Sequence, residues 1–267
     1  MSDIYNSLLH YKNILENTSL SAGKEIMNYH NNLSCIDTKI DNSPVTQADK
    51  VAEEIILNEL YKLDTKLPII AEEDSYKNGF PEFEGNSFWC VDALDGTKEF
   101  IKSGKNFTVN IALIIEKIPV LGIIYAPALK TLYTGIKYKD THFAQVIDSN
   151  KNIKNNIKAR KPPREGIIVL NSLHHPNKEL LNNFLCNQKV AKVIPMSSSL
   201  KFCLIAEGKA DVYPKFGPTN EWDTAAGQTI LNAAGGNVKT FNGKELCYNK
   251  RNQNFINDNF VASSGEV

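Results

Sequence analysis

Three acidic segments carry side chains whose types and spacing could gather oxygen ligands around a hard cation. They are Ala71-Glu72-Glu73-Asp74, Trp89-Cys90-Val91-Asp92-Ala93-Leu94-Asp95-Gly96-Thr97 and Trp222-Asp223-Thr224-Ala225-Ala226-Gly227. Each puts carboxylates at the end of an apolar stretch or the start of a helix. An all-oxygen cluster is what magnesium binds, and a hard cation beside a helix start is machinery for handling phosphate. In the middle segment, two carboxylates three residues apart on a turn can converge on one point, with the Leu94 carbonyl facing the same way. Gly96 permits an unusual backbone angle and close approach of a phosphate. The amides of Gly96 and Thr97 can then point at phosphate oxygens. Each segment alone has a simpler account. Asp92 to Gly96 fits a plain turn with helix caps, Glu72-Glu73 a solvated acidic loop, Asp223 a helix cap, and Thr46-x-x-Asp49 a capping-box variant. Brought together without metal, these acids would repel one another. Either they lie apart or they share cations, and spacing leaves both open.

The elements that must position these residues can be read from apolar periodicity. Asp3 to about His30 reads as an amphipathic helix with Ile4, Leu8, Tyr11 and Leu15 on one stripe. Asn42-Ser43-Pro44 reads as a turn. Thr46 then opens a second helix to about Leu63. Pro68 to Ala71 is a short strand delivering Glu72, and Phe88 to Val91 is another, ending at Asp92. Val109 to Ile115, Val120 to Tyr125 and Thr131 to Ile136 form an antiparallel meander. Residues 148 to 163, rich in Asn, Lys, Arg and Pro, read as a loop and domain boundary. Strand, helix and strand then alternate: Ile167 to Leu170, Asn177 to Cys186, Val190 to Ile194, Ser198 to Glu207 and Ala210 to Tyr213. A helix from Trp222 to about Ala234 is stopped by Gly235-Gly236, and Asn259 to Ser263 is a final strand.

Bulk properties narrow the function classes. The 267 residues contain 30 Lys+Arg and 30 Asp+Glu, a formal net charge of zero. A dedicated nucleic-acid protein carries a basic excess, so no nucleic-acid partner is expected. Cys35, Cys90, Cys186, Cys203 and Cys247 are scattered and never spaced C-x-x-C, which suits reduced, mostly buried cysteines rather than disulfides or zinc. The first thirty residues lack the continuous apolar core of a signal peptide. Val109 to Leu129 is broken by Glu116, Lys117 and Pro119, so no integral membrane segment is expected.

Val91-Asp92-Ala93-Leu94-Asp95-Gly96-Thr97-Lys98-Glu99-Phe100-Ile101 resembles the signature of the lithium-sensitive, magnesium-dependent phosphatases. This superfamily includes inositol monophosphatase, fructose-1,6-bisphosphatase and the bisphosphate nucleotidases. Trp222 to Gly227 is similar to its second signature. Ser198-Ser199-Leu200-Lys201-Phe202-Cys203-Leu204 through Tyr213-Pro214-Lys215-Phe216-Gly217-Pro218-Thr219 resembles the CysQ branch, the 3'(2'),5'-bisphosphate nucleotidases. So do Asp41 to Thr46 and Phe107 to Leu113, and the similarity spans nearly the whole chain.

The resemblance implies an α/β (α+β) fold, a layered αβαβα sandwich. Residues 1–147 would form an α+β unit with an antiparallel sheet and most metal ligands, and 148–267 an α/β unit with the nucleotide contacts. It implies that Glu72, Asp92, the Leu94 carbonyl, Asp95 and Asp223 hold two or three Mg²⁺ ions. Asp49 and Thr97, with Glu72, would act on the attacking water. Glu72, Leu94, Asp95, Gly96, Thr97, Ser198, Lys201, Lys215 and Asp223 would line the substrate site. The implied reaction converts 3'-phosphoadenosine 5'-phosphate to AMP and phosphate in the cytoplasm, where some relatives also sit peripherally at the inner face of the membrane. Two departures stand out. Ala93 replaces the usual proline, which would stiffen the loop, and Lys215 replaces a frequent arginine, which would grip phosphate bidentately. Ser198 and Lys201 also fit a plain helix N-cap and an exposed helix lysine. The rival readings are a phosphatase of the same fold acting on inositol phosphates or a sugar bisphosphate, and a non-catalytic nucleotide or metal sensor.

Overall fold

Long apolar runs such as Thr108 to Ile115 cannot alternate inside and outside, so their strands must be covered on both faces. In the computed structural model, which describes residues 2–30, 36–38, 44–174 and 177–265, they are. Helix α1 (Ser2–Tyr29) leads to the antiparallel pair β1 (Ile36–Thr38) and β2 (Pro44–Thr46), then to α2 (Gln47–Lys62). Next come β3 (Ile69–Ala71), α3 (Glu72–Asn78), β4 (Phe88–Asp95) and α4 (Thr97–Ile101). The meander follows as β5 (Thr108–Ile115), β6 (Ile118–Ala126), β7 (Thr131–Tyr138), β8 (Thr141–Asp148) and β9 (Ile153–Asn156). The rest comprises β10 (Ile167–Ser172), α5 (Lys178–Leu185), β11 (Val190–Met196), α6 (Leu200–Ala206), β12 (Val212–Lys215), α7 (Ala225–Ala233), β13 (Asn237–Thr240) and β14 (Phe260–Ser263).

Strands β3 to β9 form one sheet in sequence order, parallel only between β3 and β4. Strands β10 to β14 form a mixed sheet, ordered β11-β10-β12-β14-β13. Alternate residues of the first sheet face opposite cores. Trp89, Val91, Val109, Ile111 and Leu113 pack with α1 and α2, whereas Phe88, Cys90, Ala112 and Ile114 pack with α6, α7 and the second sheet. Helix α5 covers the far side of that second sheet through Leu181, against Ile167, Val169 and Val212. The order of layers is therefore αβαβα, as expected.

Helix α7 approaches the first sheet closely because the sheet lacks side chains there. Gly122 and Gly135 are direct cross-strand partners. A Cβ on Gly122 would lie 2.4 Å from the Ala226 carbonyl oxygen, and one on Gly135 would lie 2.5 Å from the Ile230 Cα. No helix among the described residues is long and apolar enough to cross a membrane.

The structure corrects several expectations. Residues 153–156, read as loop, form β9 and extend the first sheet beyond residue 147. Strand β8 and helix α3 were not anticipated, nor was β13. The turn expected at Asn42-Ser43-Pro44 lies outside the described residues except for Pro44, which opens β2. Among the described cysteines, Cys90 and Cys203 are buried while Cys186 and Cys247 are exposed.

Arg160, in the connection to the second sheet, meets a fully buried Asp211. Arg160 Nε and Nη2 donate to its two oxygens at 2.8 and 2.7 Å, and the Ile168 amide donates at 2.7 Å. Arg160→Ala would strand that carboxylate. It should cost about 3 kcal/mol in denaturant unfolding, the low end for breaking a buried pair because the arginine is partly exposed. A loss below about 1 kcal/mol would show the pair to be dispensable.

Candidate active site

Asp92 and Asp95 are three residues apart on one strand. In regular β structure that spacing puts side chains on opposite faces. The expected turn after Asp92 is absent, because β4 continues to Asp95. The ladder pairs Asp92 with Asn110 and Asp95 with Thr108, so three steps on β4 oppose two on β5. This is a β-bulge of one extra residue, and it reverses the parity. Both carboxylates consequently line one cleft of about 490 Å³ between the first sheet and the second. Each is oriented by a backbone amide: Asp92 Oδ1 accepts from Leu94 N at 3.0 Å, and Asp95 Oδ2 accepts from Ser199 N.

Glu72 begins α3 directly after β3, whose Ala71 pairs with Val91. Asp223 was expected in the first turn of an α-helix. It instead ends a short 3-10 turn, Glu221–Asp223, that precedes α7, and its Oδ2 accepts from the Asn220 amide at 2.8 Å. The sharper turn arises from a reciprocal cap in which the Asn220 side chain also takes the Asp223 amide. Glu72, Asp92 and Asp223 offer carboxylate oxygens that all lie within 4.8 Å of one another. Asp95 and the Leu94 backbone line the same cleft. Desolvation by the surrounding protein, then repulsion from Asp95 and Glu72, pushes the Asp223 carboxyl well above its ordinary range. Desolvation also raises Asp95, which Lys201 opposes. A clustered, mutually repelling, all-oxygen donor set fits a hard divalent cation.

Beside the cluster, Thr97 Oγ1 is 3.1 Å from both Asp49 Oδ1 and the Leu94 carbonyl oxygen. Asp49 is buried at the start of α2, and its Oδ2 accepts from Thr46 N and Thr46 Oγ1, each at 2.7 Å. The capping box is formed, and the same carboxylate also faces Thr97, using a different oxygen for each. Gly96 precedes α4 with φ +94°, and a Cβ there would meet the Asn106 carbonyl at 3.1 Å, so this turn requires glycine.

Two lysines line the same cleft and feel the charges of Asp95 and Asp223. Lys201 is 5% exposed and Lys215 7%, and both line the cleft. Lys201 is not the exposed helix lysine its position allowed. Its Nζ donates to the Met196 and Ser198 carbonyls and sits 4.9 Å from the Tyr213 ring centroid. Burial pushes it down to about 8, against the pull of Asp95, and burial also lowers Lys215. Ser198 is no simple N-cap. It has φ +57°, and its Oγ reaches Leu200 N only at 3.4 Å.

Comparison with known proteins shows the family. The sequence profile of the Inositol monophosphatase family matches residues 9–263. The chain belongs to this family. Among its relatives, a Buchnera aphidicola protein named 3'(2'),5'-bisphosphate nucleotidase CysQ is 44% identical over 251 residues, covering 91% of this chain and 90% of its own. The Escherichia coli K12 protein of the same name is 40% identical over 249 residues, covering 91% and 95%. The crystal structure of CysQ from Bacteroides thetaiotaomicron superimposes with a TM-score of 0.75 at 33% identity, covering 94% of this chain and 97% of that one. The inositol monophosphatase of Anabaena shares the fold, with a TM-score of 0.75 at 22% identity over 97% of this chain and 92% of that one.

In this member of the inositol monophosphatase family, several residues without an assigned role turn out to hold the site. Ser199, 2% exposed, gives its amide to Asp95 and its hydroxyl to Asn110 Oδ1 at 2.7 Å. Asn110 Nδ2 in turn faces Asp95 Oδ2 at 3.5 Å. A lone asparagine inside the apolar run Thr108 to Ile115 was the signal available in sequence. Ala93 lies within the bulge and is buried.

Proposed function

We propose that this chain is a 3'(2'),5'-bisphosphate nucleotidase that converts 3'-phosphoadenosine 5'-phosphate to AMP and phosphate, clearing a by-product of sulfate activation in the cytoplasm. The observation that carries the reading is one cleft lined by both a carboxylate cluster and buried lysines. A carboxylate cluster suits a cation-bound phosphate, and the buried Lys201 and Lys215 lining the same cleft suit a second anion. The substrate then needs two phosphate groups, and the names of the relatives at 40–44% identity agree.

Glu72, Asp92, the Leu94 carbonyl, Asp95 and Asp223 would hold two or three Mg²⁺ ions. When bound, magnesium supplies Lewis acidity, offsetting charge on the phosphoryl oxygens and acidifying water in the cleft. Thr97 donates a hydrogen bond from its hydroxyl to Asp49, which leaves its oxygen to accept a hydrogen bond from the attacking water. As that water's oxygen bonds to phosphorus and its proton passes through Thr97 to Asp49, the bond to the ribose 3'-oxygen breaks and that oxygen takes up a proton from solvent. Asp49 thereby fixes the direction in which the proton leaves. Gly96 and Thr97 provide close backbone approach for the phosphate. Ser198, Lys201 and Lys215 bind the second phosphate, with the substrate between the 1–147 and 148–267 portions.

The test is phosphate release from 3'-phosphoadenosine 5'-phosphate, inositol 1-phosphate and fructose 1,6-bisphosphate, with magnesium and with added lithium. Preference for the nucleotide with lithium inhibition supports the reading, and preference for inositol 1-phosphate overturns the substrate. A pH series sharpens it. A lysine with a pKa of about 8 is charged below that pH and neutral above it. The KM for the bisphosphate should therefore rise about tenfold from pH 7 to pH 9. Lys201→Met should show a high KM that no longer responds over this range. A flat wild-type profile would remove Lys201 from the anion site.

A further inference from the structure

Glu53 lies four residues after Asp49 in α2, on the same helix face, and is 4% exposed. Its Oε2 accepts from the Glu73 amide at 2.8 Å, and its Oε1 accepts from the Asp74 amide at 2.7 Å. These amides belong to the first turn of α3, the helix that Glu72 begins. The residue before that helix, Ala71, has no side chain able to cap it. First-turn amides lack partners within their own helix, so α2 supplies one side-chain carboxyl group for both, and these two amides oppose the rise that burial imposes on it. Glu72 is thus fixed from two directions, by the pairing of Ala71 with Val91 upstream and by Glu53 downstream.

We propose that Glu53 is a positioning residue that turns Glu72 toward Asp92 and Asp223. One face of α2 then sets both the Asp49–Thr97 pair and the Glu72 ligand. This inference rests on the reading of Glu72 as a metal ligand. In Glu53→Gln one oxygen still accepts, but the side-chain NH₂ faces the second amide donor, and the first turn of α3 must shift.

The test is calorimetric titration of MgCl₂ into the full chain as wild type, Glu53→Gln, Glu72→Gln and Arg160→Ala, with thermal unfolding and amide exchange at Glu73 and Asp74. Glu53→Gln should weaken magnesium about tenfold, as loss of a group supporting a ligand does, and should speed exchange at both amides. Arg160→Ala, destabilised but remote, should bind magnesium as wild type does. Wild-type magnesium affinity in Glu53→Gln would overturn the inference, as would equal weakening in Arg160→Ala. A wild type that binds no magnesium, or a Glu72→Gln that binds it unchanged, would instead overturn the reading of the site and this inference with it. If Glu53→Gln does not fold, the wild type still decides. Magnesium should slow exchange at the Glu73 and Asp74 amides by linkage, and unchanged exchange would overturn the proposal.

Discussion

Asp95→Asn is expected to lower kcat/KM for the bisphosphate nucleotide by on the order of a thousand-fold, the rate equivalent of about 4 kcal/mol, while the protein stays folded. The side chain lines the cleft beside Glu72, Asp92 and Asp223 and carries a charge that the metal-free protein disfavours, as its raised pKa shows. Asparagine keeps an oxygen to accept the Ser199 amide but removes the anion. The metal-free variant should therefore melt no lower than the wild type, because a repelling charge is gone, whereas magnesium should stabilise it less. Calorimetric magnesium titration, steady-state kinetics and thermal unfolding would separate these effects. Activity within tenfold of wild type would remove Asp95 from the metal site, and a large fall in melting temperature would make its role structural.

Thr97→Ala should lower kcat a hundred- to ten-thousand-fold, the usual range for losing a group that moves a proton, with magnesium affinity and KM nearly unchanged. Thr97→Ser, which keeps the hydroxyl, should recover most of the rate. Asp49→Asn should show the same kcat loss together with about 1 kcal/mol of lost stability. Its carboxylate also caps α2 through Thr46, and helix caps contribute about that much. A Thr97→Ala enzyme retaining more than a tenth of wild-type kcat would assign water activation elsewhere.

Much of this arrangement was legible in the sequence, for identifiable reasons. The α2 cap could be read because Thr46 and Asp49 have capping-box spacing, and the buried meander because its apolar runs leave no solvent face. Glu72, Asp92, Asp95 and Asp223 were visible as carboxylates at element boundaries. Their convergence was not, since it depends on a β-bulge that reverses the parity of Asp95 relative to Asp92. A bulge is set by cross-strand pairing with β5 and leaves no mark on local composition. The 3-10 turn at Glu221–Asp223 was missed because a reciprocal Asn220 cap overrides the apparent helix start. Helix α3 was missed because five of its seven residues are charged or asparagine on a short acidic stretch, and its cap comes from Glu53, twenty residues earlier. Lys201 looked like a solvated lysine, since its burial follows from α6 packing against α7 and the second sheet, a tertiary fact.

The most direct measurement of the central claim is ³¹P NMR of 3'-phosphoadenosine 5'-phosphate incubated with the protein and MgCl₂. The proposed nucleotidase reading predicts loss of the 3'-phosphate resonance alone, with AMP and inorganic phosphate accumulating in equal amounts and the 5'-phosphate intact. Release of the 5'-phosphate, or an unchanged spectrum from a protein that binds magnesium and nucleotide, would contradict it.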